Sequence, residues 1–399
     1  MNPTPRLPAV TDTKKRFPQF QEILIEKRAN FVGRDFIFTA IADFLQKSDR
    51  GYFTIVGAPG SGKSAILAKY VTETPHTAYY NAQVEGKNQA DLFLTMICHQ
   101  LMEIGNREWG IDNKNMVIPD NVAEGSWFLS LLLQKISDKL TSNQRLIIAI
   151  DGLDAVEINS QSLGSNLFYL PRYLPQNIYF VLARRPFLKE KSGLLIETPY
   201  KILDLDNYSV QNQTDVQTYI QSYLQSSGVN NEELGKNAHN LSIHSPLLNK
   251  YRKNIKYCLS AHSISYTEFI ETLTVQSEDN FMYLSQILPA IAQGFYSHPF
   301  RYPSLPPDLE VYYKKHWQKI KGEELSAVEL NVLKVLIERD QLISVATLSH
   351  QTNEDDYDIE QVLENWIEFL QLQPIGGDVG YRFYHTSFRD WLNNHAETE

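Results

Sequence analysis

The sequence predicts an α/β fold, a parallel sheet with helices on both faces, followed by a helical domain and a winged helix. Three observations carry this expectation. Short β-rich apolar runs alternate with helical patterns from Phe31 to Asp206, the strand signals stop from Asn207 to Phe300, and the remainder mixes helices with a glycine-turned hairpin. The domain boundaries that follow are an arm over residues 1–30, an α/β domain over 31–206, a helical domain over 207–300 and a winged-helix-like domain over 301–399. A chain of 399 residues with 43% hydrophobic content is long and apolar enough for about two to four such cores.

The expected strands, in order, are Tyr52–Val56, Ala78–Ala82, Leu146–Ile150, Tyr179–Ala183 and Lys201–Leu205, each a run rich in apolar and β-branched or aromatic residues. Between the second and third, Asp91–Leu101 puts Phe93, Leu94, Ile97 and Leu101 on one helical face, and Ser130–Leu140 repeats the pattern. The helical domain rests on amphipathic stretches at Thr214–Gln225, Tyr266–Val275 and Asn280–Leu288. Pro299, Pro303, Pro306 and Pro307 mark the entrance to the last domain, whose expected helices are Val328–Glu338 and Ile359–Leu370 and whose hairpin pairs Leu372–Ile375 with Gly380–Tyr384. The arm carries four prolines in its first twenty residues and a short helical stretch at Phe20–Ile25.

Composition excludes several classes. Cys98 and Cys258 have neither metal-ligand spacing nor a disulfide framework around them, which favours a reducing cytoplasm. No apolar run approaches the roughly 20 residues of a membrane span, and the first residues lack the apolar core of a signal peptide, so no membrane partner is expected. The net charge of −10 opposes non-specific nucleic-acid binding. His239, His244 and His262 show no metal-ligand spacing.

The chemistry begins at Gly57-Ala58-Pro59-Gly60-Ser61-Gly62-Lys63-Ser64, which follows the first strand and fits G-x-x-x-x-G-K-[ST] at every position. Glycines let such a loop turn successive N–H groups toward phosphate oxygens, and the helix that opens at Lys63-Ser64-Ala65 adds its positive N-terminus. Lys63 is expected on the β- and γ-phosphates of ATP or ADP and Ser64 on Mg²⁺. Asp151 closes the apolar strand Leu146–Ile150 and is the expected metal-side acid. Asp154, three residues on, is either a carboxylate that polarises an attacking water or a helix N-cap or turn residue. Arg184-Arg185 follows the fourth strand, where one arginine can sense a γ-phosphate while the other is solvated or paired with an acid.

Together these residues resemble the STAND class of P-loop NTPases, the signal-transduction switches that include NACHT-containing and apoptosome-like ATPases. Phe31-Val32-Gly33-Arg34-Asp35 looks like the opening motif of that class, Asp151-Gly152-Leu153-Asp154 is similar to D-G-h-D-E, and Ala183-Arg184-Arg185-Pro186 is similar to T-S-R-P. The resemblance implies that Phe31 and Val32 pack on the adenine, that Gly33 and Arg34 approach the nucleotide, and that Arg185 is the sensor. Ser277–Leu284 resembles S-E-G-N-F-L-Y-L, with Phe281 near the base and Asp279 in place of the glycine. Leu305–Leu309 with Tyr312, Tyr313 and Trp317 resembles the start of the winged helix of the class, and Phe383–Leu392 its Y-x-H-x-S-F-x-D-F-L ending. That ending implies a contact from His385 to the β-phosphate of ADP, against the plainer reading of a half-buried surface histidine.

The glutamate that follows the second acid in the class is Ala155 here, so slow hydrolysis is expected. The resemblance therefore implies an ATP/ADP-operated switch in bacterial signalling or defence, forming homo-oligomers on activation. Neither an effector nor a repeat sensor is recognisable, so either a protein partner is expected to supply one or the chain is a reduced or truncated member of the class. Two other readings differ in class. A DNA-binding AAA+ initiator or loader also joins such an ATPase to a winged helix, but residues 305–399 carry 8 Lys and Arg against 18 Asp and Glu, which would repel DNA. An ordinary hydrolase or kinase would need an acceptor site, and no second catalytic constellation is present in the sequence.

Overall fold

The computed structural model describes residues 18–111, 119, 125–158, 161–162, 164–188, 192–224, 245–339, 341–375 and 377–395. The chain divides into two compact units. Met1–Val56, Lys63–Arg185 and Glu190–Leu205 make the first, and Gly57–Gly62, Pro186–Lys189 and Asp206–Glu399 make the second.

The first unit runs α1 (Gln21–Arg28), α2 (Asp35–Lys47), β1 (Gly51–Val56), α3 (Lys63–Glu73), β2 (Thr77–Asn81), α4 (Ala90–Trp109), α5 (Trp127–Ser137), β3 (Leu146–Asp151), β4 (Ile178–Arg184) and β5 (Tyr200–Asp204). The five strands form one sheet in the order β2-β3-β4-β1-β5, and every pairing is parallel. The expected α/β sheet is therefore present. β1 to β4 are buried at each residue, which is why they read as unbroken apolar runs rather than alternating ones. β5 lies at the edge, leaves Tyr200 and Ile202 exposed, and starts and ends one residue earlier than expected.

Three features of this unit lie beyond the sequence reading. β4 lies between β1 and β3, so the strand that ends in Asp151 does not adjoin the strand that feeds the glycine-rich loop. α2 was not foreseen, although Ile37, Ile41, Phe44 and Leu45 give it a buried face. The end of the expected arm is built into the core: Phe20 is 1% exposed and sets its ring edge-on to Tyr79 at 5.3 Å and Tyr80 at 5.7 Å. The arm's remaining residues, 1–17, lie outside the described residues.

The second unit contains α6 (Ser209–Ser222), α7 (Ser245–Ala261), α8 (Tyr266–Ser277), α9 (Phe281–Ala292), α10 (Pro307–Lys321), α11 (Ala327–Glu338), β6 (Ile343–Ser344), α12 (Val345–Thr352), α13 (Asp356–Asn365), β7 (Leu370–Ile375), β8 (Asp378–Phe383) and α14 (Thr386–His395). β6, β8 and β7 pair antiparallel in that order. The proline cluster is the start of α10, with Pro306 as cap and Pro307 in the first turn, where a missing N–H costs nothing. The helix expected over Ile359–Leu370 stops at Asn365, because a tight turn from Trp366 to Phe369 swings Leu370 into β7. Aromatic side chains tie α10 to the hairpin and α14: Tyr313 meets Phe388 at 5.2 Å, and His316 Nδ1 hydrogen-bonds the Tyr384 hydroxyl at 2.9 Å. His239 and His244 fall outside the described residues, and no described helix is long and apolar enough to cross a membrane.

Candidate functional site

In the first unit the C-terminal ends of β2 and β3 bring polar groups together. Asp151, 1% exposed, is in register with Asn81, whose Nδ2 donates to Asp151 Oδ2 at 3.3 Å. Ser64, in the first turn of α3, hydrogen-bonds the same carboxylate. Burial pushes the Asp151 pKa up to about 6, opposed by the Ser64 bond and the charge of Lys63 and reinforced by Asp154. An acid so costly to ionise, beside a hydroxyl, is a pair of hard oxygens that fits Mg²⁺. Lys63 opens α3 and is itself 8% exposed, and Ala65 is half-buried behind it.

Asp154 sits inside a tight turn, Leu153–Ala155, that Gly152 enters with a left-handed φ of 69°. A Cβ at Gly152 would lie 2.3 Å from the Gln83 side chain, so the turn requires glycine twice over. Asp154 Oδ1 accepts from the Arg185 backbone N–H at 2.9 Å and Oδ2 lies 3.4 Å from Arg185 Nε. From within this turn the Asp154 carboxylate fixes Arg185. The neighbouring Arg184 is buried rather than solvated, and its guanidinium donates to the Ser192 carbonyl at 2.8 Å.

The opening motif lies in the same unit. Arg34 is 3% exposed, has φ 67°, and caps α2, with its carbonyl accepting from Ile37 and Phe38. Left-handed backbone at a buried, non-glycine residue is strain of a kind that collects at ligand sites. Phe31 and Val32 are half-buried; the Phe31 ring stands 6.0 Å from Phe38, with Lys69 Nζ 5.9 Å above it. Gly33 also takes a left-handed φ, 61°.

Gly57–Gly62 belongs to the second unit, where it meets the start of α9. Gly60 and Gly62 have φ of 82° and 91°, angles closed to most other residues, and the Ser61 N–H turns back to the Ala58 carbonyl at 3.2 Å. Asn280 caps α9 by accepting from the Tyr283 N–H, and its Nδ2 donates to the Pro59 carbonyl at 3.0 Å. The Phe281 and Met282 N–H groups both donate to the Gly60 carbonyl, at 2.9 and 3.2 Å. Any Cβ on Gly60 would fall 2.1 Å from Asn280 Oδ1. The Phe281 ring packs edge-on against Tyr219 at 5.6 Å.

The residues just before Asn280 are held from the other side. His385, 1% exposed, has Nε2 3.1 Å from the Ser277 carbonyl, and its Nδ1 accepts from the Ser387 N–H at 3.0 Å. That acceptor role makes Nε2 the protonated nitrogen, so Nε2–H donates to Ser277. Both ring nitrogens are engaged with protein groups, which differs from the expected contact with a phosphate. Glu278 Oε1 accepts from the Thr386 N–H at 2.9 Å and Oε2 lies 3.3 Å from an Arg382 guanidinium nitrogen. Glu278 and Asp279 have φ of 45° and 60°, so Asp279 takes left-handed backbone at the position where the S-E-G-N pattern has glycine.

Sequence reasoning gave no role to Asn81, Ser277, Glu278 or Asn280. Asn81 was visible only as a polar residue at the tip of an apolar strand. The other three lie in the stretch Ser277–Leu284 that the sequence singles out, but their contacts cross long sequence separations, for which one sequence carries no local signal.

Among families, residues 30–181 match the AAA ATPase domain. No curated protein matches the sequence. Solved structures similar to the chain include a Walker-type ATPase of Pyrococcus abyssi, 11% identical, covering 94% of this chain and 95% of that one with a TM-score of 0.42. A STAND protein with a tetratricopeptide repeat sensor from Pyrococcus horikoshii is 13% identical and covers 91% of this chain but 42% of its own, TM-score 0.32. The Drosophila ORC bound to DNA is 13% identical over 95% of this chain and 99% of that one, TM-score 0.34. At these identities and scores the solved structures say nothing of what the chain does. Residues 30–181, which hold the glycine-rich loop and the buried acid, match an AAA ATPase domain of the P-loop type.

Proposed function

We propose that the protein is an ATP/ADP-operated switch of the STAND kind, in which nucleotide exchange frees the winged-helix-like part and permits homo-oligomerisation. One observation carries this reading. The six residues Ser277–Met282 are bonded at one end to Pro59 and Gly60 of the phosphate loop and at the other to His385, Thr386 and Arg382. A loop that shifts with its nucleotide therefore pulls on a segment that holds α14. A switch needs such a differential contact, since a ligand moves an equilibrium only by its unequal affinity for the two states, about 5.5 kcal/mol for a nearly complete swing.

The remaining residues suit retention better than turnover. Lys63 and the loop N–H groups bind phosphate, and Ser64 and Asp151 hold the Mg²⁺ whose charge offsets that of the phosphates. Asp154 orients Arg185 toward a γ-phosphate, and Ala155 supplies no second acid to activate water, so hydrolysis is slow. The order α11, β6, α12, α13, β7, β8 supports a winged helix, and we assign residues 301–399 to it. The activating signal would reach the switch through a partner protein, in bacterial signalling or defence and in the cytoplasm.

The test is to purify the protein, identify the nucleotide that accompanies it, and compare molar mass by light scattering in Mg²⁺ with ADP or a non-hydrolysable ATP analogue. Retained ADP with a monomer, and a larger assembly in the ATP analogue, is the expected pair of results. Equal mass in both nucleotides would sink the switch.

A further inference from the structure

The net charge of −10 conceals an uneven distribution. Residues 305–399 account for all of it, and the rest of the chain is balanced at 29 cations against 29 carboxylates. Within that balanced part, residues 245–265 hold Lys250, Arg252, Lys253 and Lys256, residues 280–307 hold Arg301, and neither stretch contains a single Asp or Glu. At the average of residues 1–304, about five carboxylates would be expected in that length.

The fold sets these two acid-free stretches side by side. Asn254 on α7 donates to the Ala292 carbonyl at 2.8 Å, Gln293 Nε2 donates to the Tyr251 hydroxyl at 2.9 Å, and the His262 and His298 rings stand 4.8 Å apart. Burial, and after it the charges of His262 and Arg301, hold His298 below its ordinary pKa. Lys250, Lys253 and Tyr257 fall on one face of α7 at helical spacing, and all are exposed, Tyr257 at 79%. Asn254 on the same stripe reaches the end of α9, beyond which Phe295 is 50% exposed and Arg301 is exposed. Tyr257 stands in water among lysines, and Phe295, although it meets the Tyr296 ring edge-on at 5.0 Å, keeps half its surface in water.

We propose that this face binds single-stranded nucleic acid, with phosphates on Lys250, Lys253 and Arg301 and bases against Tyr257 and Phe295. Cations that track a backbone, interleaved with rings that accept any base, are the two components of sequence-tolerant single-strand binding. The surface lies on the helical part, away in sequence from the acidic residues 305–399, and is independent of the nucleotide switch.

Fluorescence anisotropy of the full chain with labelled dT20 and U20, in saturating Mg²⁺·ADP to fill the phosphate loop, tests it. Micromolar binding is expected at 50 mM salt, with a log–log salt slope near −2 for about three phosphate contacts. Lys250→Gln/Lys253→Gln should weaken it about tenfold or more, and Tyr257→Ala about tenfold with the salt slope unchanged. Circular dichroism checks that these exposed substitutions leave the fold intact. Three results overturn the proposal: no binding at 50 mM salt, binding that the lysine variant leaves unchanged, or binding in which inorganic polyphosphate competes equally and Tyr257→Ala has no effect. Binding only to anionic phosphatidylserine vesicles, lost in the same lysine variant, also overturns it by assigning the face to a membrane.

Discussion

His385→Ala is expected to release ADP at least tenfold faster than the unaltered protein. The ring is fully buried, donates to Ser277 and accepts from Ser387, and packs tilted against Tyr283 with centroids 4.6 Å apart. Truncation leaves the Ser277 carbonyl without its donor and opens a cavity, together about 2–4 kcal/mol of local stability. Ser277 is three residues from Asn280, whose amide holds Pro59, so loosening one end of the segment loosens the loop at the other. His385→Gln, which keeps a donor near the same place, should recover part of the retention. Release of a fluorescent ADP in a stopped-flow instrument measures both. pH should act in the same direction: burial lowers the His385 pKa, so the unfolded chain takes up a proton first and the latch weakens as pH falls below the ordinary value of 6.5. Equal release rates for wild type and His385→Ala would remove this residue from the switch.

Asp151→Asn should abolish Mg²⁺-dependent nucleotide binding and yet stabilise the metal-free first unit. The carboxyl pKa is pushed from 3.8 to about 6 by burial. A raised folded-state value means that the folded protein holds its proton more tightly than the unfolded chain. Stability is therefore highest below about pH 4, falls as pH rises through about 4 to 6, and is lower by about 3 kcal/mol above that window. Asparagine matches the protonated acid in shape and removes the penalty. Thermal melts in EDTA should place the Asn variant several degrees above wild type at pH 7.5 and level with it near pH 4. With Mg²⁺·ATP present the order should reverse, because only the wild type gains from binding. An Asn variant that melts below wild type in EDTA at pH 7.5 would show that the charge is already well compensated without metal.

The two halves of the account were legible in the sequence to different degrees. β1 to β4 were visible because fully buried parallel strands must be continuously apolar, and Gly57–Ser64 because a phosphate loop needs glycines and a lysine at fixed spacing. The insertion of β4 between β1 and β3 was not, since strand order is a matter of crossover packing rather than composition. α7 escaped because its pattern of Lys250, Arg252, Lys253 and Lys256 dilutes the apolar stripe, with Ile255 and Leu259 buried among the described side chains. The roles of Asp154 and His385 were foreseen as contacts to nucleotide or water. In the structure Asp154 binds Arg185 and His385 binds Ser277, because half-buried and buried polar groups take protein partners.

The most direct measurement of the central claim is hydrogen exchange at the Thr386 and Ser387 amides, which donate to Glu278 Oε1 and His385 Nδ1. Both report whether the segment Ser277–Met282 still grips α14, and neither lies in the phosphate loop. If nucleotide identity travels along that segment, exchange at these two amides will be slow in Mg²⁺·ADP and at least tenfold faster in a non-hydrolysable ATP analogue. Asn280→Ala should abolish the difference. Identical protection in the two nucleotides, with nucleotide bound in both, would contradict the switch at its core.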